Sequence, residues 1–574
     1  MKIQLAVPQD LRSACDAAAA DWKTHSKVER FWKKDPGLWT NKGEENWLGW
    51  TDIVARQQQD AETFASLARE VKAAGYESVL LLGMGGSSLC PEVLATTFGR
   101  QAGFPALHIV DSTDPDQVKS IRNKLDLSRT LAIVASKSGS TLEPNILKQY
   151  FFAEMQKAVG TEKAGSHFIA ITDPGSKMGQ VAKGDKFWKT FYGDPQIGGR
   201  YSALSNFGVI AATAMGLDTG RLLAEAGNAA ASAKNELEQN SAVQLGLLLG
   251  SAHNAGRNKI TIFASPEIYD LGAWLEQLIA ESTGKLGKGI TPVDREPVGP
   301  VQVYSNDRVF AYIRLAGTRD TVHDKLAAEL EGAGHPVVRI EIADIYEIFG
   351  QFFLWEIATA VAGSVMGINP FDQPDVEAAK VEARAITSEY EKTGKLPYRK
   401  PIFVAEGVEI FASEAYAKEL KIEGTGASLA SYLWAHFANI RSGDYVAILA
   451  FLPMFPEYEK TIQEFRHRIR DLKRVATCMG FGPRFLHSTG QDYKGGPNTG
   501  VFLQLTGDHP ADVEIPGQKF TFGVVIDAQA AGDLAVLESR GRRALRLHLK
   551  GDVAKGLDTV RAAVDAALRE GEVR

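Results

Sequence analysis

Between Ser78 and Thr172, short apolar runs alternate with longer polar-and-apolar stretches. Val79-Leu80-Leu81-Leu82, Ala106–Val110, Leu131–Ala135 and Phe168–Ile171 are nearly continuous in apolar residues and do not alternate with polar ones. A strand apolar on both faces must be covered on both faces, so the pattern predicts a parallel sheet with helices on either side. A second series follows at Ile260–Phe263, Val309–Ile313 and Val337–Ile342. A third set of strands is predicted at Tyr445–Phe451, Gly500–Leu505, Phe520–Ile526 and Ala544–His548. Upstream of all these, residues 1–70 read as a helical arm rich in Ala, Gln and charge. Trp22, Phe31, Trp32, Trp39, Trp47 and Trp50 crowd that arm, and their expected role is to pin it to the body. The polar stretch Leu222–Gln239 is expected as a helix bridging the first two sheets, and Lys392–Pro401 as a linker. Four segments result: the arm at 1–70, α/β units at 71–240 and 241–400, and a C-terminal α/β extension at 401–574.

Composition narrows the class. The chain has 574 residues, 44% hydrophobic and 23% charged, which fits a globular protein and excludes a disordered one. At about 150 residues per domain the length suggests about four domains. Lys+Arg number 64 and Asp+Glu 70, a net charge of −6. That balance argues against a nucleic-acid partner but leaves room for a local basic pocket. Cys15, Cys90 and Cys478 are sparse and not at metal-ligand spacing, so neither a disulfide framework nor a zinc site is expected, in keeping with a cytoplasmic location. The N-terminus shows no signal-peptide pattern, and apolar runs such as Tyr445–Phe455 reach about half the ~20 residues of a membrane span, so no membrane partner is expected.

The chemistry gathers where strands end, the place where open parallel sheets bind ligands. Gly83-Met84-Gly85-Gly86-Ser87-Ser88 follows the first strand and opens a helix, a backbone suited to close approach by an anion. Ser136-Lys137-Ser138-Gly139-Ser140-Thr141 does the same after the third strand. A helix cap needs one hydroxyl; four hydroxyls here suit the several oxygens of a phosphate monoester. The nucleotide P-loop spacing is missing, so a monophosphate fits better than a nucleotide. Gly198-Gly199-Arg200-Tyr201-Ser202 offers an arginine that can face a developing oxyanion. In Trp274–Lys285, Gln277 and Glu281 share one helix face, with Glu281 near a glycine break where a general base could act.

Taken together and in order, these stretches resemble phosphoglucose isomerase, a family built from sugar isomerase (SIS) domains. The family patterns GIGGS, SK[ST]xTT, GGR[YF]S and ESxGK are matched by GMGGS at Gly83–Ser87, SKSGST at Ser136–Thr141, GGRYS at Gly198–Ser202 and ESTGK at Glu281–Lys285. A fifth stretch, Asn369–Lys380, is similar to the family's NxFDQxxVExxK. The resemblance covers roughly residues 75 to 390 and implies two SIS-type α/β/α sandwich domains with mainly parallel sheets. It further implies that Gly86, Ser87, Ser136, Lys137, Ser138, Thr141 and Gln373 hold a sugar phosphate, with Ser140 assisting and Gln277 nearby. Arg200 would stabilise an enediolate, Glu281 would move the proton between C1 and C2, and Lys380 would contact the sugar ring.

The family also uses a ring-opening histidine, usually placed before the FDQ motif. Only His323 and His335 lie between Glu281 and Phe371, and neither has glycine-rich surroundings. His487 does, in Phe485-Leu486-His487-Ser488-Thr489-Gly490-Gln491, and is assigned that role. This order resembles the isomerase half of transaldolase–phosphoglucose isomerase fusions, without a transaldolase half before it. The implied activity is interconversion of glucose 6-phosphate and fructose 6-phosphate, with no metal and no cofactor. A related anionic hexose such as mannose 6-phosphate is an alternative substrate, and a non-catalytic sugar-phosphate sensor a more distant reading. The family also implies a homodimer, with His487 as the group most expected to cross between subunits.

Overall fold

Strand-forming runs become three separate sheets in the computed structural model, which describes residues 2–420, 422 and 427–570. The first sheet has five parallel strands in the order Ala106–Val110, Ser78–Leu82, Thr130–Ala135, Phe168–Thr172 and Lys189–Tyr192. Its central strand Thr130–Ala135 is buried at every residue, as its unbroken apolar sequence requires. In the second sheet the order is Lys2–Ala6, Val337–Ile342, Arg308–Leu315, Lys259–Ala264 and Thr291–Val293. All its pairs are parallel except the first. The third runs Phe403–Ala405, Val408–Phe411, Arg543–Leu549, Gly500–Gly507, Tyr445–Phe451 and Ala476–Phe481. Its last four strands are parallel, and its first two pairings are antiparallel, so only Val408–Phe411 runs against the rest.

Several expectations change. The N-terminal arm is not wholly helical, because Lys2–Ala6 alternates exposed and half-buried positions and closes the edge of the second sheet. Phe520–Ile526 is not a strand. Helix Phe522–Ser539 begins there, and the Thr521 hydroxyl caps it by accepting from the Val524 amide. A short apolar run fits a buried strand and a buried helix equally; the cap and the Ala-rich continuation decide. Lys189–Tyr192, Thr291–Val293 and Ala476–Phe481 are further strands, short or broken by Pro and Gly, which hid them. The polar stretch after Leu222 forms helix Thr219–Ser232, which packs on Ile348–Met366.

Ile345–Met366 is long and apolar enough to cross a membrane, although Glu347 and Glu356 interrupt its apolar run. Here 89% of its most apolar window is buried, as a core helix. Burial leaves both Glu356 carboxyl oxygens without a partner and pushes that group well above the usual carboxylate range.

The arm's aromatics lock it to the body. Phe31 meets Trp39 and Trp50 edge-on, with ring centres 5.8 and 6.1 Å apart. Trp50 stacks on Tyr201 at 5.0 Å, and Trp39 meets Phe371 at 5.0 Å. Tyr201 and Phe371 adjoin Arg200 and Asp372-Gln373, so this packing reaches the loops of the candidate site.

Candidate active site

A cleft of about 260 Å³ opens where loops from all three sheets meet. Gly85–Ser87 and Ser136–Thr141 enter it from the first sheet, and the helix Leu271–Thr283 follows a strand of the second. Gln373 lies just before helix Val376–Thr393 and Lys380 on it, and His487 comes from the loop after Ala476–Phe481 in the third. Residues more than 400 positions apart, such as Gly85 and His487, thus share one cavity within one chain.

Close backbone contact explains Gly86. A Cβ there would stand 1.9 Å from the Gly199 carbonyl oxygen, so only glycine lets the GMGGS and GGRYS loops touch. Gly139 has φ +66°, and a Cβ on it would lie 2.3 Å from the Met178 amide, which fixes the bend of the hydroxyl loop. Beyond that bend, helix Leu142–Val159 starts with Thr141 as its N-cap residue, and the Thr141 hydroxyl makes no cap bond. Free amides at a helix start favour an anion.

The loop's side chains divide. The Ser136 hydroxyl is buried without a partner at the cleft wall. Ser138 and Ser140 share a hydrogen bond of 2.8 Å, and Ser138 lines the cleft while Ser140 faces the neighbouring cavity. The Lys137 ammonium differs from expectation: it donates to Asp173 and to the Asp194 carbonyl, each at 2.9 Å. Its ammonium holds two loops together, and Lys137 also lines the cleft.

Arg200 is 2% exposed, and most of its donors are used. Nε donates to Ser282 at 2.8 Å, and Nη2 to the Pro370 and Asp372 carbonyls at 2.7 and 3.0 Å. Nη1 donates to the Gln373 amide oxygen at 2.9 Å and lies 3.8 Å from Glu281 Oε1. The guanidinium therefore ties the GGRYS loop to the FDQ segment and turns only one corner towards the carboxylate. Gln373, with its oxygen so held, presents its NH₂ as the remaining donor.

Glu281 is 8% exposed. Its Oε2 accepts from Gln277 Nε2 at 3.1 Å, and the same nitrogen donates to the His487 carbonyl at 2.8 Å. Gln277 Oε1 is buried without a partner. Behind Arg200, Lys285 donates to the Asn369 carbonyl at 2.8 Å and to Asp372 Oδ1 at 2.7 Å. Burial and the nearby Arg200 charge bring Lys285 down to about 8.

His487 Nε2 lies 3.1 Å from Glu143 Oε1. Burial alone would raise Glu143, but the adjacent His487 and the Lys380 charge hold it below the usual carboxylate range. A carboxylate only accepts, so the histidine proton sits on Nε2. His487 lines the cleft of its own chain. Trp47, expected only to pin the arm, lines the cleft as well. Glu143 was not singled out in the sequence, where it looks like an ordinary acidic residue in a first helical turn. Among the described residues no group of three or more His, Cys, Asp or Glu could hold a metal ion.

The family model for phosphoglucose isomerase matches residues 52–296. The glucose-6-phosphate isomerase of Rubrobacter xylanophilus is 30% identical over 397 residues, covering 60% of this chain and 89% of that protein. The chain belongs to the phosphoglucose isomerase family. A probable glucose-6-phosphate isomerase of Methanococcus maripaludis is 28% identical over 345 residues, 53% of this chain and 77% of that one. In fold, the chain is similar to a hypothetical protein of Thermus thermophilus, with TM-score 0.58 at 24% identity, over 67% of this chain and 99% of that one. It is also similar to a glucose-6-phosphate isomerase of Chlamydia trachomatis, with TM-score 0.50 at 20% identity, over 59% and 74%. The matched family segment ends at 296, so within this phosphoglucose isomerase family member Gln373, Lys380 and His487 reach the cleft from outside it.

Proposed function

We propose that this chain is an aldose–ketose isomerase interconverting glucose 6-phosphate and fructose 6-phosphate. The observation that carries the reading is a buried carboxylate, Glu281, in the same cleft as a hydroxyl loop with unspent hydrogen-bonding capacity. In this reading Ser87, Ser136, Ser138, Thr141 and the helix-start amides take the phosphate, with the Gln373 NH₂ beside them. The phosphate is remote from the reacting carbons, so its binding energy can position C1 and C2.

Ring opening comes first. The O1–H proton leaves, the C1–O5 bond breaks and O5 gains a proton, with His487 and Lys380 as the groups that manage these transfers. Glu281 then removes the proton from C2. The C2–H electron pair becomes the C1–C2 double bond, and the carbonyl pair moves to O1, giving a cis-enediolate. The O2 hydroxyl proton passes to O1, and return of the carbon-bound proton from Glu281 to C1 leaves the carbonyl at C2 and a hydroxyl on C1. The open corner of Arg200 faces the developing negative charge.

The test is a coupled assay with glucose 6-phosphate, fructose 6-phosphate and mannose 6-phosphate. Turnover of the first two is expected. Turnover of mannose 6-phosphate alone would move the substrate, and binding without any turnover would make the chain a sensor. A homodimer and a cytoplasmic location complete the proposal; light scattering and cell fractionation check them.

A further inference from the structure

The Glu143 carboxylate has a second donor from a distant part of the chain. Gln529 Nε2 donates to Glu143 Oε1 at 2.7 Å, and Gln529 Oε1 lies 2.6 Å from the Thr113 hydroxyl. Gln529 sits on helix Phe522–Ser539, which lies between two parallel strands of the third sheet in chain order, and Thr113 follows strand Ala106–Val110 of the first. All three residues are buried: Thr113 is fully enclosed, and Glu143 and Gln529 are each 5% exposed.

The direction of every bond in this chain is fixed by chemistry. Glu143 as a carboxylate can only accept, so the NH₂ end of Gln529 must face it. The amide oxygen therefore faces Thr113, and the Thr113 hydroxyl must donate. Glu143 Oε1 then accepts from two N–H groups, Gln529 Nε2 and His487 Nε2. Which imidazole nitrogen carries the proton is set by the bond the ring makes with its partner.

We infer that Gln529, oriented by Thr113, is a positioning residue for ring opening: it holds Glu143 so that His487 keeps its proton on Nε2 and its ring plane in the cleft. The inference rests on the isomerase reading and deepens it. It assigns to the C-terminal unit a share in the chemistry beyond supplying His487. Gln529 lies outside the matched family segment.

The test compares Gln529→Leu, Thr113→Val and Thr113→Ser with wild type, using glucose 6-phosphate and its C2-deuterated form. Gln529→Leu keeps the volume and removes both hydrogen bonds. A kcat about 10-fold lower or more is expected, the scale of losing a supporting hydrogen bond to a site residue, with KM little changed. The C2-deuterium isotope effect on kcat should fall towards unity, because ring opening replaces proton transfer as the slow step. Thr113→Val should move both readouts the same way but less, and Thr113→Ser, which keeps the hydroxyl, should restore them. Wild-type kcat in Gln529→Leu would overturn the inference, and so would a lower kcat with an unchanged isotope effect. If Gln529→Leu fails to fold, the two Thr113 variants decide by the same criteria. A wild type inactive on glucose 6-phosphate would overturn the isomerase reading and this inference with it; an active wild type matched by its variants would overturn the inference alone.

Discussion

Two cavities of equal volume, about 260 Å³, lie on either side of the loop that carries His487. The first is the cleft described above. The second is bounded by Leu89 and Glu92, by Glu276 and Asp294, and by Arg466 and Arg484. Both are rich in charge, and helix Leu271–Thr283 borders both. In the rear cavity the arginines are held in ion pairs or by carbonyls, although Arg295 Nε and Arg484 Nε lack a well-aligned hydrogen bond. Arg484 grips Glu92 at 2.7 and 2.8 Å and Asp111 at 2.8 Å. Arg466 is enclosed by the carbonyls of Thr477, Asp294 and Arg295. In the cleft, Ser136 and Gln277 keep buried polar atoms without partners. Volume, charge and unpaired buried polar atoms are common to both; what separates the cleft is a hydroxyl and an amide oxygen left free near a carboxylate, where the rear cavity's arginines already sit in ion pairs.

The strongest way to break this contrast is Glu281→Gln. Turnover of glucose 6-phosphate should fall by about 10²- to 10⁴-fold, the usual share of a general base, while calorimetry with fructose 6-phosphate shows binding retained. Near wild-type rates would remove Glu281 from its role. On the other side of the loop, Arg484→Ala leaves Asp111 buried without its cation. Urea unfolding should show a loss of about 3–5 kcal/mol, as for other broken buried pairs. A variant that kept its stability and lost only activity would make the rear cavity part of the site.

Ser136→Ala separates the two regions more finely. Its hydroxyl has nothing to lose in the free protein, so stability should hold, while KM should rise about 10-fold from one lost bond to a charged ligand.

Burial, and then the Asp294 carboxylate beside it, push Glu276 from its ordinary 4.5 up to about 8. The folded state thus keeps a proton there that the unfolded chain has released. Stability from this group is full below pH 4.5 and is lost as pH rises towards about 8. Glu276→Gln should flatten the stability profile across that window without reducing turnover; an unchanged slope would rule the carboxyl out as its source. Smallest of all is Ser140→Ala. Its hydroxyl bonds Ser138 outside the cleft, so KM should stay within about twofold, as for surface substitutions.

Much of the site was legible because its motifs are local. GMGGS, SKSGST, GGRYS and ESTGK each combine glycines that permit close approach with the side chain that approaches. Glu281 and Gln277 could be paired by helical spacing, and the structure finds them bonded. The partners of Lys137 were not legible because they lie in other loops, at Asp173 and Asp194. Glu143 passed unnoticed because its partners are 344 and 386 residues away, at His487 and Gln529. No spacing rule reaches that far. Phe520–Ile526 failed for another reason: so short and mostly apolar a run carries no period that could separate strand from helix.

By itself the sequence determined the α/β class, the parallel strands and the loops that bear the chemistry, because burial on both faces and glycine-permitted turns are written in neighbouring residues. Tertiary structure alone decided which donors remain free. It used Lys137 and most of Arg200 to join loops, left Ser136 and Gln277 unspent, and brought His487 into the cleft of its own chain. Hydrogen-bond satisfaction is a property of the whole packed interior, since each donor is claimed by whichever acceptor the fold brings nearest.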